Sequence, residues 1–337
     1  MKIAVPIVIL CWILFAKCEY NEFDPVGRQL PDGSPPNFFF LGGAKCASTT
    51  FYDIITSHDE VCKAKRKEIH FFDGKLERWS KGSQFYLSSF VKCKGNKYID
   101  ATPTLLYQYN HSIARLKLTY STKELSKKKF LIILREPVQR HFSNYNQFLE
   151  LCLRDMVKYF TTNANKPTQG WNIDKLCGTS LHCLSLDCYI KAKDAQPGQE
   201  IKYLNTWREQ SKRTTHSEIE TGFYFNQIEA WVNAFSRKQF LIINFDTFIS
   251  QPVDTMNRVA SFFELSHGFP SNATMPHDNS AGVHTEFDCE TREFLHKLYE
   301  PHNQRLYEFL KKNPGPAQEP SFPLFKDYRC TNTSIPK

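Results

Sequence analysis

The chain has 337 residues, 41% of them hydrophobic, and a formal net charge of +8 at neutral pH. That length accommodates one large or two small α/β units, and that apolar content excludes a wholly disordered chain. The positive balance suits anionic ligands, but no zinc finger, basic zipper or RNA-binding signature occurs, so nucleic acid is not an expected partner.

Residues 1–18 read as a secretory address. Lys2 is the charged start, and Ile3 to Ala16 is apolar. A helix of that length reaches roughly 21 Å, short of a bilayer core of about 30 Å. Ala16-Lys17-Cys18 offers small residues at a cleavage position, which favours a removed signal peptide over a short signal-anchor. Residues 19–36 are polar and proline-rich, a linker or stem. The main domain is expected over 37–315, followed by a tail over 316–337.

Within that domain, short apolar runs alternate with helical patterns. Candidate parallel strands are Phe38–Leu41, Tyr98–Asp100, Phe130–Leu134 and Phe240–Asn244. Candidate helices are Ser48–Ser57, Val138–Leu149, Phe223–Ala234 and Val253–Phe263, with an amphipathic one over Thr291–Lys311. The alternation predicts an α/β fold with a P-loop-like parallel β-sheet covered by helices on both faces. Residues 151–221 break the pattern. They are polar, carry four cysteines and include Lys202, Arg208, Lys212 and Arg213. They read as an insertion, either an acceptor-recognition region or a solvated loop.

The first strand opens into Gly43-Ala44-Lys45-Cys46-Ala47-Ser48-Thr49-Thr50 and then a helix. Small residues let backbone N–H groups close on an anion, a helix N-terminus adds its dipole, and Lys45 adds a full charge. The loop is not a Walker A motif, because its lysine precedes the hydroxyls by three residues. Phe130–Leu134 ends in Arg135-Glu136-Pro137-Val138-Gln139-Arg140-His141-Phe142-Ser143-Asn144-Tyr145. Pro137 suits a first helical turn. Arg135 then stands at the C-terminal end of a strand, where open α/β sheets bind ligands, with Ser143 about two turns on.

Together these segments resemble the sulfotransferase superfamily, which uses 3′-phosphoadenosine 5′-phosphosulfate (PAPS). The resemblance implies that the loop from Gly43 to Thr50 holds the phosphosulfate and that Arg135 and Ser143 hold the 3′-phosphate. Lys67-Glu68-Ile69-His70-Phe71-Phe72-Asp73 is similar to a segment of Golgi glycan sulfotransferases such as the heparan 3-O-sulfotransferases. Gly222-Phe223-Tyr224, with Ile228, Glu229 and Trp231, is similar to the corresponding region of the N-deacetylase/N-sulfotransferases, which brings Tyr224 into the cofactor set. The resemblance runs with gaps from about Asn37 to Leu310.

It implies sulfuryl transfer to a hydroxyl of a glycan, an acidic polysaccharide, in the secretory pathway, by an enzyme of the Golgi lumen or a secreted one, with no metal required. Lys45 would neutralise charge on the transferring group, Ser48 and Thr49 would bond phosphate oxygens, and Glu68 would be the base. In an extended segment His70 shares a face with Glu68 and either orients the acceptor or is itself the base; a hydrogen-bonded structural histidine is the plainer reading. For Glu68 the plainer reading is an ion pair with Lys65 or Lys67. Three departures stand out. Ala101 occupies a position where heparan enzymes carry lysine. Asn279-Ser280-Ala281-Gly282 is only a loose counterpart of the late cofactor loop. Ala47 replaces glycine, a mild change for ordinary backbone angles.

Two other function classes compete: a kinase-like phosphotransferase with Asp100 on magnesium, and a non-catalytic glycan-binding protein. The eleven cysteines indicate an oxidising compartment. Cys11 and Cys18 leave with the signal and Cys46 is expected to be a free thiol. Cys62, Cys93, Cys152, Cys177, Cys183, Cys188, Cys289 and Cys330 then allow up to four bridges of open connectivity. The spacing of Cys177, Cys183 and Cys188 does not favour zinc. Sequons occur at Asn110, Asn272 and Asn332.

Overall fold

The computed structural model describes residues 29–147, 219–270 and 289–327. The expected signal segment, most of the expected insertion over 151–221, the loop Asn279–Gly282 and the sequons at Asn272 and Asn332 lie outside them. In chain order the main elements are β1 (Phe38–Gly42), α1 (Ser48–Ile55), β2 (Val61–Cys62), β3 (Lys97–Ala101), α2 (Tyr109–Thr119) and β4 (Lys129–Leu134). Then follow α3 (residues 137–147), α4 (Tyr224–Ala234), β5 (Phe240–Asn244), α5 (Phe245–Ser250), α6 (Pro252–Phe262) and α7 (Cys289–Lys312).

The strands form one parallel sheet in the order β2-β3-β1-β4-β5. Side chains alternate across it. Phe39, Leu41, Phe130, Ile132, Phe240 and Ile242 point to one face, where Leu116, Ile228, Trp231 and Leu306 cover them. Phe38, Phe40, Leu131, Ile133, Leu241 and Ile243 point to the other, against Phe51, Phe248, Met256 and Val259. Burial on both faces is why β1 and β5 read as unbroken apolar runs.

The neighbours of β1 on either side, β3 and β4, come later in the chain, so the strand order reverses there. The crevice beyond the C-terminal ends of such strands is the usual ligand position. The register of β1 against β4 shifts between Phe40 and Gly42, which turns the strand end outward. Gly42, with φ of +145°, is required there: a Cβ would stand 2.6 Å from the carbonyl oxygen of Pro103.

Cys62 and Cys93 form a disulfide across a separation of 31 residues, Cys289 is also disulfide-bonded, and Cys46 is a buried free thiol, as expected. The Cys62–Cys93 bridge closes the chain around the short helices Leu76–Trp79 and Gly82–Leu87. Replacing both cysteines by serine is expected to lower stability by roughly 3–4 kcal/mol in denaturant unfolding, from the lost constraint on the unfolded chain. An unchanged midpoint would show that the bridge contributes nothing.

After α7 the chain runs back along the sheet edge. Glu319 pairs with Arg237 and accepts a 2.8 Å hydrogen bond from the Ile242 backbone N–H of β5. Phe325 donates its N–H to the Tyr307 hydroxyl. Among the described residues no helix is long and apolar enough to cross a membrane.

Candidate active site

The loop from Gly43 to Ala47 joins β1 to α1. Its Gly43 N–H donates to the Ile133 carbonyl at 2.7 Å, and the Cys46 N–H to the Gly43 carbonyl at 3.3 Å. The Cys46 side chain is fully buried, with Sγ 3.5 Å from the Ala44 carbonyl oxygen, and burial pushes its thiol pKa up. It is therefore an inward packing residue. Ala44, Lys45, Ala47, Ser48 and Thr49 are half-buried and Thr50 is buried. The N-terminus of α1 has no side-chain cap and no acidic residue in its first turn, an arrangement open to an anion. Ala47 does not have ordinary angles: it is left-handed, with φ 59° and ψ 31°. Its replacement of glycine therefore costs roughly 1–2 kcal/mol of local strain.

Beyond β4, Arg135 reaches back to this loop. Its Nη1 donates to the Lys45 carbonyl oxygen at 3.5 Å, and its guanidinium lies 4.8 Å from the Phe245 ring. The Tyr224 hydroxyl donates to the Arg135 carbonyl oxygen at 2.8 Å, and Tyr224 is fully buried. Its hydroxyl thus fixes the Arg135 turn. Glu136 caps α3, accepting from the Val138 and Gln139 N–H groups at 3.0 and 2.7 Å. Burial raises its carboxyl to about 7 against those bonds and Arg135. Ser143 is half-buried on α3.

The third part is 67–74. It is not extended: Glu68 and His70 both have left-handed backbones, with φ of 63° and 56°. They meet all the same, with His70 Nε2 3.5 Å from Glu68 Oε2. His70 Nδ1 lies 2.5 Å from Asp73 Oδ2, which also accepts from the Thr104 hydroxyl at 2.7 Å. Lys67 Nζ lies 2.5 Å from Glu68 Oε1, so the ion pair expected as the plainer reading is present. The segment is held by Phe71 and Phe72, fully buried against Trp79 and Tyr86, and by Arg115 of α2, which donates to the Asp73 carbonyl oxygen.

Burial raises the Glu68 carboxyl, but the His70 hydrogen bond and the Lys67 charge outweigh it and hold the group at about 2. Burial lowers the His70 imidazole, while Asp73 and Glu68 raise it by more. His70 therefore keeps its proton to higher pH than an ordinary histidine, and an imidazolium has no lone pair with which to take another proton.

The segment after β3 ties these parts together. The Thr102 hydroxyl receives the His70 N–H at 3.4 Å and donates to Asp100 Oδ1 at 2.6 Å. Pro103 abuts Gly42, and the Leu106 N–H donates to the Leu41 carbonyl at 2.8 Å. Asp100 is buried, its second oxygen accepts from Tyr86 at 2.9 Å, and burial lifts its carboxyl to about 6. Asp100 is thus a buried carboxyl tied to Thr102 and Tyr86, one bond to each oxygen. Asp73, Thr102 and Thr104 carry no role in the sequence reading. A Thr-Pro-Thr run directly after a strand, and an aspartate three residues past His70, were the available signals.

The chain belongs to the sulfotransferase domain family, whose sequence model matches residues 35–275. It is 22% identical over 329 residues to the membrane-associated sulfotransferase kil1 of Dictyostelium discoideum, covering 82% of this chain and 66% of that protein. It is 23% identical over 302 residues to heparan sulfate glucosamine 3-O-sulfotransferase 5 of Mus musculus, covering 81% of this chain and 71% of that one. For human carbohydrate sulfotransferase 15 the identity is 22% over 353 residues, covering 90% and 61%. The chain thus spans between 61% and 71% of the length of these three relatives. A crystal structure of a sulfotransferase from Alicyclobacillus acidocaldarius has the same fold, with a TM-score of 0.51 and 21% identity over 82% of this chain and 96% of that one.

Proposed function

We propose that this sulfotransferase takes a sulfuryl group from PAPS and places it on a hydroxyl of an acidic glycan. The observation that carries the reading is the role of residues 102–106, which join the anion loop beyond β1 to the Glu68–His70–Asp73 cluster. One side of the crevice offers cations and N–H donors; the other offers an ionised carboxylate.

The donor supplies the SO₃ group and carries the leaving phosphate. Lys45 and the first turn of α1 hold the phosphosulfate and match the charge that develops on it. Arg135 and Ser143 hold the 3′-phosphate, and Tyr224 fixes Arg135. Glu68 accepts the proton of the attacking hydroxyl. His70, clamped by Asp73, aims Glu68 and binds the acceptor. A carboxylate at about 2 is a weak base, but negative charge brought by the donor raises it toward a working value. The relatives that act on glycans and the Cys62–Cys93 bridge support a lumenal, oxidising setting.

Adenosine 3′,5′-bisphosphate tests the donor assignment. With a Kd near about 1 μM and ligand at about 100 μM, it is expected to stabilise the fold by about 2.7 kcal/mol. That shift should persist when divalent cations are chelated. A folded, disulfide-intact sample that shows no shift would sink the assignment.

A further inference from the structure

The Cys62–Cys93 bridge joins two basic segments beside Glu68. One is Val61-Cys62-Lys63-Ala64-Lys65-Arg66-Lys67 and the other is Ser89-Phe90-Val91-Lys92-Cys93-Lys94-Gly95. Neither contains a carboxylate. The two run together through an antiparallel bridge between Ala64 and Phe90 and a 2.8 Å hydrogen bond from the Lys65 N–H to the Ser89 carbonyl. Gly95 permits the approach, because a Cβ there would lie 2.1 Å from the Glu60 carbonyl carbon. Lys63, Lys65, Arg66, Lys92 and Lys94 are all exposed. Among the described residues, Glu60 pairs with Lys97 and Glu68 with Lys67, and none of those five cations pairs with a carboxylate.

We propose that this disulfide-clamped ledge is the docking surface for the acidic, non-reacting stretch of the glycan acceptor. The proposal rests on the glycan-acceptor reading above and deepens it. Five like charges gathered on two stapled segments repel one another, a cost that a partner of opposite charge offsets. An extended polyanion fits, because the cations recur at alternate positions along two paired stretches. The first stretch continues without a break into Lys67 and Glu68, so that the Lys63 backbone lies at most about 18 Å from that of Glu68. A chain lying along it delivers one of its hydroxyls to Glu68. An anionic bilayer on the same face would close that entry.

The test compares two triple variants with equal change in net charge. One is Lys63→Ser/Lys65→Ser/Lys94→Ser on the ledge. The other is Lys123→Ser/Lys311→Ser/Lys312→Ser, exposed residues remote from it. Heparin is the probe. The ledge variant is expected to bind it at least about tenfold more weakly in about 0.1 M salt, with a salt dependence shallower by about two charges. The remote variant should change less than about twofold. Both should keep the bisphosphate shift and the wild-type melting temperature. Lys63→Arg/Lys65→Arg/Lys94→Arg should retain heparin binding.

Equal losses in the two serine variants, or none in the ledge variant, would overturn the proposal. So would loss of binding to phosphatidylserine vesicles with heparin binding intact. Failure of the donor reading is separate: it shows as a missing bisphosphate shift in the wild-type protein, whatever heparin does.

Discussion

Glu68→Gln is expected to lower turnover at least about a hundredfold, with bisphosphate affinity near that of the wild type. Glutamine keeps the size of the side chain and an oxygen for one of its two partners, Lys67 or His70, but it cannot take a proton. The geometry distinguishes the two candidate bases. His70 stands between two carboxylates that favour its protonated form, whereas Glu68 is ionised and has a lone pair to offer. His70→Ala is expected to act more on acceptor KM than on turnover. It also removes the charged partner of the buried Asp73 carboxylate, leaving the Thr104 hydroxyl and the Lys75 N–H as its donors, so its rates must be scaled to the folded fraction. Near-normal turnover by Glu68→Gln, together with an inactive but folded His70→Ala, would hand the base role to His70.

Lys45→Ala should abolish measurable transfer, with a loss of about 10²–10³-fold or more in kcat, because a preorganised charge at the reacting group acts mainly in the transition state. Arg135→Ala should instead weaken bisphosphate binding by about 10- to 100-fold, the scale of one charge-assisted hydrogen bond. Calorimetric titration gives the affinities, and turnover at saturating donor gives the rest. The Arg135 guanidinium donates to the Lys45 backbone carbonyl, which Lys45→Ala retains, so loss of the lysine side chain leaves that contact in place. Unchanged bisphosphate affinity in Arg135→Ala would remove that residue from the donor site.

Much of the sheet was legible because its strands are buried on both faces. Phe240–Asn244 reads directly from the sequence, and β1, β3 and β4 differ from their expected spans by one or two residues. What was not legible has particular causes. Strand β2 has two residues, too few for any period to appear. Helix α2 turns Ser112 and Arg115 inward, because Arg115 is needed at the Asp73 carbonyl, and a polar inward face defeats the hydrophobic pattern. At the candidate site, Lys45, Glu68, His70 and Arg135 were singled out by motifs with fixed local spacing. The bond between Thr104 and Asp73 spans 31 residues and depends on how β3 ends, which no local pattern encodes. The left-handed backbone at Glu68 and His70 was not anticipated, since neither glutamate nor histidine announces one. The tertiary packing of Phe71 and Phe72 overrides their local preference.

That override bears on how the protein would respond to being made hardier. Lys45, Ala47, Glu68 and His70 all occupy left-handed backbone conformations, each at a cost of roughly 1–2 kcal/mol against local preference. Glycine would relieve the cost at any of them, yet at Lys45, Glu68 and His70 it would delete a side chain to which the mechanism proposed above gives a role. Ala47 alone has no functional side chain to lose. Under that proposal, thermal robustness and catalytic competence compete at three of these positions and coincide at the fourth. A search for heat-tolerant variants that monitors only folding would drift toward an inactive protein through those same three residues.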